Sequence, residues 1–481
     1  MIADLKPYPS MKDSGVPWLG KVPEHWDVRR LKWCASSHPS KLEAHTMLTP
    51  STQVTFLPME RVGTDGRFND SETVAASTVW NGFTYFRRGD VLVAKITPCF
   101  ENGKGTCLDF LATEFGFGST EFHVLRAKSP ILPGFLYRIT TTPEFRRLGA
   151  DAMIGAAGQQ RVPEAFVVNY PTALPPIAEQ ASIIRFLDHM DRRIRHYVRA
   201  KQKLIELLEE QKQAIIRRVV TRGLDRNVRL KPSGVEWLGD VPEHWEVRPA
   251  KYFYREVDDR SETGSEELLS VSHVTGVTPR SQKNITMFMA TSYVGHKVCR
   301  PGDIVINTMW GWMGALGLAR QTGIVSPSYG VYRPLRTTAL LGEYADLLLR
   351  TRPYVGEYVC RSTGIRSSRL RLYPEQFLCV RVVCPPVSEQ RIILERLSTE
   401  TRETERAIGH AHRQISLLRE YRTRLIADVV TGKFDVREAA ARLPNEAEAP
   451  EPLDGTEALI DADEDGPGEL DVDTPSEEAE A

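Results

Sequence analysis

An internal repeat constrains this chain more than any other feature of its sequence. Residues 15–33 read GVPWLGKVPEHWDVRRLKW and residues 234–252 read GVEWLGDVPEHWEVRPAKY, so thirteen of nineteen positions are identical at an offset of 219. A second pair of segments, LPPIAEQ at 174–180 and CPPVSEQ at 384–390, repeats at an offset of 210. The chain therefore consists of two similar halves, each with an A part followed by a B part.

The A parts carry the signals of β-strands. Segments rich in β-branched and aromatic residues occur in both halves, namely 83–96, 121–127 and 166–174 in the first, and 299–307, 330–335 and 377–385 in the second. One helix per half is expected, from Pro133 to about Ala152 and from Leu341 to about Arg361. Each A part is thus predicted to be a mixed, strand-rich domain.

The B parts are predicted to be long helices that pair with each other. In the first, eight of ten seam positions are apolar at alternating spacings of four and three, which is typical of a coiled coil: Ile183, Leu187, Met190, Ile194, Tyr197, Lys201, Leu204, Leu208, Gln211 and Ile215. The second seam is interrupted by Glu400 and Thr404 and comprises Ile393, Leu397, Ala407, Ala411, Leu418, Tyr421 and Leu425. A helix of about 45 residues would be ~67 Å long and needs a partner to bury such a seam. Gly223 and Gly432 are predicted to end the helices.

The fold class predicted from these patterns is α+β. Two strand-rich globular domains are separated by two long helices that pair as an antiparallel coiled coil, and the internal repeat gives a pseudo-two-fold axis. The predicted boundaries are 1–172 for the first domain, 173–221 for the first helix, 222–383 for the second domain, 384–437 for the second helix and 438–481 for an acidic, disordered tail.

Charge is distributed unevenly along the chain. The overall formal charge is −1, but 15 of the 63 acidic residues and none of the 62 basic residues lie between Pro444 and the end. The other 48 acidic residues face all 62 basic ones in residues 1–443, an excess of fourteen positive charges. Such an excess fits a polyanionic partner, although it also serves solubility. The tail is interpreted as a solubilising segment, with weak mimicry of DNA charge as the alternative.

Several classes of protein are made improbable by the sequence. The first residues have no apolar core of a secretory signal, and no apolar run is long enough to span a membrane, so a cytoplasmic protein without membrane contact is expected. The seven cysteines include no CxxC pair, which argues against a disulfide framework or a zinc ribbon. The PEHW boxes, Pro23–Trp26 and Pro242–Trp245, lack a second ligand at metal spacing and are predicted to be packing elements.

No catalytic motif is present. The sequence has no Asn-Pro-Pro-aromatic box for a flipped adenine, no P-loop and no glycine-rich loop for a nucleotide. Asp90 and Lys95 resemble part of a nuclease site, but the second acidic residue is missing and a hairpin turn explains Gly89-Asp90. The chain is therefore predicted to be non-catalytic, with no cofactor and no metal.

The duplicated motifs resemble a known family, the specificity subunit of type I restriction–modification enzymes. The resemblance covers about residues 12–437 and rests on the two xPPxxEQ boxes, the two GVxWLGxVPEHWxV segments and the GDxLxxK-like strand at 89–95. It implies that each A part is a target-recognition domain and each B part a spacer helix. It also implies partners: double-stranded DNA, two adenine-specific methyltransferase (modification) subunits, and restriction subunits that combine motor and nuclease. The acidic tail and the broken second seam depart from the family pattern.

An asymmetric, two-part DNA site follows if the two A parts read different bases. Base-reading residues are then expected where the A parts differ, in polar loops beside the matching strands. The candidates in the first half are Lys95, Thr97, Asn102, Lys104, Gln159, Gln160 and Arg161. The candidates in the second half are Asn307, Thr308, Trp310, Ser328, Tyr329, Arg361, Arg366, Ser368 and Arg369. The lysines and arginines equally suit phosphate contacts or a solvated loop, and Trp310 and Trp312 equally suit core packing.

Two other functions stay open from sequence alone. One is a single-chain restriction or modification enzyme, against which the missing catalytic motifs argue. The other is a coiled-coil scaffold without DNA function, which salt-independent behaviour on a DNA column would favour, because phosphate contacts weaken steeply as salt rises.

Overall fold

The computed structural model describes residues 5–156, 158–225, 227–282, 292–335, 339–364 and 370–444. The chain divides into two compact units. Unit 1 is formed by the chain up to Ala200 and again from Arg413, and unit 2 by Lys201–His412. Both long helices contribute residues to both units, so unit 1 consists of two separate stretches of chain and unit 2 of the continuous stretch between them.

Unit 1 begins with a strand-rich domain. Its strands are β1 (Met11–Asp13), β2 (Lys21–Pro23), β3 (Asp27–Arg30), β4 (Ala35–Ser37), β5 (Gln53–Leu57), β6 (Thr73–Ala75), β7 (Thr84–Arg87), β8 (Asp90–Ala94), β9 (Gly105–Cys107), β10 (Phe115–Gly118), β11 (Phe122–Ala127) and β12 (Pro171–Leu174). Its helices are α1 (Ala76–Val79), α2 (Pro133–Thr140), α3 (Pro143–Asp151), α4 (Glu164–Asn169) and the first part of α5 (Ile177–Arg222). One four-stranded sheet has the order β4-β11-β8-β9 and another has the order β6-β5-β10-β7.

Unit 2 has a similar order of elements, with two-stranded sheets β17-β18 and β19-β22 in place of the second four-stranded sheet. Its strands are β13 (Leu230–Pro232), β14 (Asp240–Pro242), β15 (Glu246–Pro249), β16 (Tyr254–Val257), β17 (Leu269–Ser272), β18 (Gly276–Pro279), β19 (Lys297–Cys299), β20 (Ile304–Ile306), β21 (Leu316–Leu318), β22 (Gly323–Val325), β23 (Gly330–Pro334) and β24 (Arg381–Cys384). Its helices are α6 (Gly342–Leu349), α7 (Arg352–Arg361), α8 (Pro374–Leu378) and the first part of α9 (Val387–Val430), while α10 (Arg437–Ala441) lies in unit 1. The sheet β16-β23-β20-β21 matches β4-β11-β8-β9 strand for strand.

The same buried ion pair anchors both of these sheets. Asp90 at the start of β8 accepts two hydrogen bonds from Arg126 on β11, at 2.7 and 2.8 Å, and Asp303 beside β20 accepts two from Arg333 on β23, at 3.0 and 2.9 Å. Both aspartates also accept a backbone N–H from three residues earlier. The Gly-Asp turns seen in sequence therefore have a structural role, because each carboxylate is hydrogen-bonded to its arginine and to the backbone of its own turn.

Each helix predicted within an A part is interrupted. The segment after Pro133 forms α2 and α3 with a break at Thr141–Thr142, and the segment after Leu341 forms α6 and α7. Proline lies in the first turn of α3 and of α7, where it cannot continue a helix from the preceding residues. The expectation of one helix per half was therefore wrong at Pro143 and Pro353.

The last strand of each A part is also shorter than predicted. Residues 164–169 and 374–378 are the short helices α4 and α8, and only β12 and β24 are strands, pairing with β3 and β15. A Pro-Glu pair favours the first turn of a helix, because the ring lacks an N–H and the carboxylate suits the helix dipole. Val167 and Phe377 are among the apolar residues that suggested strands, and they lie on the buried sides of α4 and α8.

The two long helices run antiparallel to each other within each unit. In unit 1, Asp191 of α5 pairs with Arg422 of α9 at 2.9 Å, and in unit 2, Lys212 of α5 pairs with Glu405 of α9 at 2.8 Å. The pairing predicted from the seam is confirmed. Gly223 and Gly432 follow the helix ends with φ of +78° and +77°, as their C-cap assignment predicts. None of the helices in the described part of the chain has the length and apolar content that crossing a bilayer requires.

The buried face of α5 departs from the predicted seam after one third of its length. Ile183, Leu187, Met190 and Ile194 are buried as expected, but further along Tyr197 and Leu204 are exposed, while Ile205, Ile216 and Val219 are buried. In α9, Ala407 is exposed, and Thr401 and Ile415 are buried. A straight helix has 3.6 residues per turn, so its buried face drifts away from a strict 3.5-residue repeat.

Within each unit, the PEHW box and the EQ box are joined by hydrogen bonds. Glu179 of the first EQ box accepts hydrogen bonds from the Trp26 indole at 3.0 Å and from Tyr8, and contacts His25 Nε2 at 2.8 Å. Glu389 repeats this with the indole and imidazole of the second PEHW box. Gln180 and Gln390 join the helix start to the segment before α2 and α6. The PEHW boxes are thus anchors for the long helices.

Candidate functional site

The two polar loops predicted in the first half lie together. The loop that follows β8 and the segment before α4 are joined by backbone hydrogen bonds, from Thr97 N–H to Gln160 O at 3.0 Å and from Val162 N–H to Lys95 O at 2.8 Å. The Thr97 hydroxyl accepts from Gln160 N–H at 3.2 Å. Two stretches that are 63 residues apart in sequence at Thr97 and Gln160 therefore form one surface at the end of the central sheet.

Arg161 is fixed within this surface. Its guanidinium donates two hydrogen bonds to the Glu121 carboxylate, both at 2.9 Å, and these hydrogen bonds lower the pKa of Glu121. A carboxylate that holds both donors competes with any base or phosphate for the same guanidinium. Arg161 is thus placed to hold Gln159 and Gln160 in position.

The side chains left to face a ligand are those of the loop tip. Asn102 and Gln159 are exposed, Lys95 and Lys104 are half-buried, and neither lysine makes an ion pair with the described residues. The loop is closed by backbone hydrogen bonds from Asn102 N–H to Pro98 O and from Lys104 N–H to Cys99 O, both at 2.9 Å. An amide and two ammonium groups on a closed loop can bind base edges and phosphates.

Arg146 on α3 also belongs to this surface and was missed from sequence. Its guanidinium packs on Gly103, where a Cβ would lie 2.1 Å from the Arg146 Cζ, and the φ of +78° at Gly103 also favours glycine. Burial lowers the pKa of Arg146, and its Nε finds no acceptor among the described residues. Sequence placed this arginine on a helix, but no pattern shows which loop such a side chain meets.

A pair of histidines beneath the surface was also missed. His123 of β11 contacts Val162 O through Nε2 at 2.9 Å and His38 Nε2 through Nδ1 at 3.2 Å. Because a carbonyl only accepts, the Nε2 of His123 must carry the proton and its Nδ1 must accept from His38. Burial, opposed by the Val162 hydrogen bond and assisted by His38 and Lys95, lowers the pKa of His123 to about 4.

We expect unit 1 to lose stability as the pH falls below the pKa of a free histidine. In the unfolded chain His123 titrates near its ordinary pKa of about 6.5, so the folded state, which keeps it neutral, is fully favoured above that pH. The advantage is lost as the pH falls from about 6.5 towards about 4, by at most about 3 kcal/mol. Urea unfolding at pH 7.5 and 5.0 measures this loss, and His123→Gln should reduce it. A loss of the same size in His123→Gln would contradict the assignment.

The predicted residues of the second half also come together, around the end of β20. The Asn307 amide donates to the Tyr329 hydroxyl at 2.9 Å, the Thr308 hydroxyl donates to Ser328 O at 2.6 Å, and Leu372 N–H donates to Thr308 O at 2.9 Å. The last bond matches that from Val162 to Lys95 in unit 1. Asn307 and Tyr329 are buried and serve to hold this loop, whereas Ser328 is exposed.

The remaining candidates of unit 2 flank this loop. Trp310 and Trp312 stack on each other, with ring centroids 6.0 Å apart, and are half-buried. Arg361, at the end of α7, is held by Glu357 at 2.5 Å. Arg366, Ser368 and Arg369 lie outside the described residues. The two units thus hold a loop by the same contacts, namely the Asp–Arg pair on the preceding strand and the backbone bond to the segment before the short helix, and we call these contacts the frame. The loops themselves carry different side chains.

Part of the chain is similar in sequence to curated proteins named as specificity subunits of type I restriction enzymes. It is 34% identical over 217 residues to the "Type I restriction enzyme EcoAI specificity subunit" of Escherichia coli, covering 43% of this chain and 36% of that protein. It is 35% identical over 198 residues to the "Type I restriction enzyme EcoEI specificity subunit" of Escherichia coli, covering 39% and 32%. The chain therefore matches about a third of the length of these curated relatives. No family model matches.

A solved structure shares the fold. A chain from a structure concerning complex assembly and conformational transition of the type I R-M system superimposes with a TM-score of 0.63 at 18% identity, covering 86% of this chain and 99% of that chain. At this identity the likeness concerns the fold, and it extends over both units and not over one motif.

Proposed function

We propose that this chain, which is related to the specificity subunits of type I restriction enzymes, is the DNA sequence-specificity subunit of such a restriction–modification complex. Residues 1–172 and 222–383 would be target-recognition domains that read the two halves of an asymmetric, bipartite site in double-stranded DNA. The helices near 177–221 and 387–431 would set the gap between the half-sites and receive methyltransferase subunits. Catalysis, adenine methylation or cleavage, would belong to the methyltransferase and restriction partners.

One observation carries this proposal: the same frame of contacts holds a different loop in each unit. In both units, a strand anchored by an Asp–Arg pair leads into a loop that is hydrogen-bonded to the segment before a short helix. In unit 1 that loop presents Asn102 and Lys104. In unit 2 it presents Trp310 and is hydrogen-bonded through Thr308 to Ser328, in the turn between β22 and β23. A repeated frame with different polar groups suits a protein that reads two unlike sequences with one docking geometry.

Co-expression with the methyltransferase subunit of the same system tests the proposal. The host should lack other adenine methylation, and sequencing should report modified adenines. We expect a two-part motif with a fixed gap. Exchanging residues 222–383 for those of another specificity subunit should change one half of the motif and leave the other unchanged.

Two outcomes would contradict the proposal. Methyl transfer by the isolated chain would favour a single-chain modification enzyme. A chain that binds no methyltransferase subunit, and whose retention on a DNA column does not depend on salt, would favour a scaffold, because phosphate contacts weaken steeply as salt rises.

A further inference from the structure

Five basic residues form one line along α5 within unit 1. They are Arg185, His189, Arg192, His196 and Arg199, and they follow each other at alternating spacings of four and three residues. Residues at these spacings lie on one side of a helix. His189 is half-buried, and the other four residues are exposed. We call these five residues the basic stripe.

The acidic residues on the same stretch of α5 are engaged elsewhere. The stretch contains two of them, Asp188 and Asp191. Asp188 pairs with Arg138 of α2, and the buried Asp191 pairs with both Arg138 and Arg422. Their charge is therefore balanced by cations outside the basic stripe.

The titration of His189 reflects the positive charge around it. Burial lowers the pKa of His189, and Arg193, Arg192 and Arg185 lower it further. A histidine in such surroundings is harder to protonate because its neighbours are already cations. The basic stripe is thus a surface suited to an anionic partner.

The acidic tail leaves the described fold at the first residue of the basic stripe. The helix before the tail, α10, is anchored in the core of unit 1 by the buried Val436 and Ala440. Just after α10, the Arg185 guanidinium donates hydrogen bonds to Leu443 O at 2.8 Å and to Pro444 O at 3.3 Å. The tail therefore starts beside one end of the stripe.

The tail has the charge and the length that the basic stripe requires. From Pro444 onward the chain contains 15 acidic and no basic residues, and the first three acidic ones are Glu446, Glu448 and Glu451. The stripe is about 21 Å long at 1.5 Å per helical residue, and an extended chain covers about 3.3 Å per residue. Seven residues after Pro444 are therefore enough to run along the whole stripe.

We infer that the first acidic residues of the tail dock on the basic stripe of the same chain and cover positive charge that would otherwise bind any nucleic acid. Exposed ion pairs are individually weak, but a segment attached at one end is present at high effective concentration, so that a few such pairs suffice. A separate polyanion lacks this attachment and loses the entropy of association when it binds. The stripe and the tail both belong to this chain, so the contact does not depend on the proposed function.

Photo-cross-linking within the full chain tests the contact. A p-benzoyl-phenylalanine replaces Ala449 in the tail, and mass spectrometry maps the cross-linked products. At low salt we expect products on α5 between Arg192 and Arg199. Arg192→Glu combined with Arg199→Glu should lower their yield about 5-fold, because each reversal replaces an attraction by a repulsion.

A charge exchange distinguishes docking from an effect on the helix itself. The reversed helix is combined with a tail whose first acidic residues are also reversed: Glu446→Arg, Glu448→Arg and Glu451→Arg. The exchange should restore the yield of products on α5. A yield that ignores the reversal, or that stays low after the exchange, would contradict the contact.

Affinity for a duplex of random sequence, at about 50 mM salt, provides a second readout with a matched control in the tail. The near variant neutralises the first three acidic residues: Glu446→Gln, Glu448→Gln and Glu451→Gln. The far variant removes the same charge farther along the tail: Asp471→Asn, Asp473→Asn and Glu477→Gln. The near variant should bind the duplex about 5-fold more tightly than the wild type, and the far variant should bind it as the wild type does. Equal effects of the two variants would show that the tail acts through net charge alone, and no effect of either would show that it covers nothing.

Discussion

Replacing Asp191 by asparagine should destabilise unit 1 by about 3–5 kcal/mol, the usual cost of removing one partner from a buried ion pair. The carboxylate is almost fully buried and receives Arg138 of α2 at 2.6 Å and Arg422 of α9 at 2.9 Å, so it joins the domain to both long helices. Burial raises the pKa of Asp191, but the two guanidinium groups outweigh burial and lower it. The neutral amide would leave the buried Arg138 and the half-buried Arg422 with too little negative charge around them. Urea unfolding at pH 7 measures the change.

A matched variant distinguishes this effect from a general cost of losing charge. Asp151→Asn removes a carboxylate that pairs with Arg147 at 3.2 Å, both side chains being more than half exposed. Such surface pairs contribute little, so we expect a change within about 0.5 kcal/mol. Equal stability of Asp191→Asn and the wild type would show that Asp188, which also binds Arg138, suffices to neutralise the site.

Asn102→Ala should lower affinity for the cognate DNA site by roughly 5- to 150-fold, because an amide paired with adenine contributes about 1–3 kcal/mol of discrimination. The side chain is exposed at the tip of the loop after β8, so its removal leaves the fold intact. Binding to unrelated DNA should not change. Fluorescence anisotropy on both DNAs, across a series of salt concentrations, gives the measurement.

Lys95→Ala provides the contrast in the same loop. Lys95 lies at the base of the loop, bonded through its backbone to Val162 and Glu121, and suits a phosphate contact. Its removal should weaken binding to both DNAs alike and reduce the salt dependence by about one counterion. If Asn102→Ala also weakens both DNAs alike, this loop touches the backbone and bases are read elsewhere.

Much of the fold could be predicted from the repeat because duplication marks what the fold requires. The Gly-Asp turns, the paired helices and the helix ends at Gly223 and Gly432 follow from patterns that carry a local physical cause. The helix breaks at Pro143 and Pro353 were missed because the apolar spacing continues across each break. Proline at these positions does indicate the start of a new helix. The register of α5 was wrong beyond Ile194 because its buried positions follow the 3.6-residue turn of an α-helix and not the 3.5-residue repeat of the predicted seam.

The candidate site could be predicted by region but not by role. The two loops of each unit were identified from polar residues beside strands, and they do meet. Asn102 and Asn307 were equal candidates from their positions after matching strands, yet Asn102 is exposed and Asn307 is buried against Tyr329. The arginine on Gly103 and the His38–His123 pair arise from contacts between distant segments, which no local pattern encodes.

The sharing of the two long helices between the units sets the order in which the two cores can be completed during synthesis. The core of unit 1 includes Leu425, Val429 and Ala440, close to the end of the described chain, whereas the core of unit 2 is complete once Leu397 has been made. A ribosome therefore releases the first domain long before its last packing partners exist. Unit 2 can close its core first, and the part of the protein that is translated earliest must wait, with apolar surface uncovered, until nearly the whole chain has emerged.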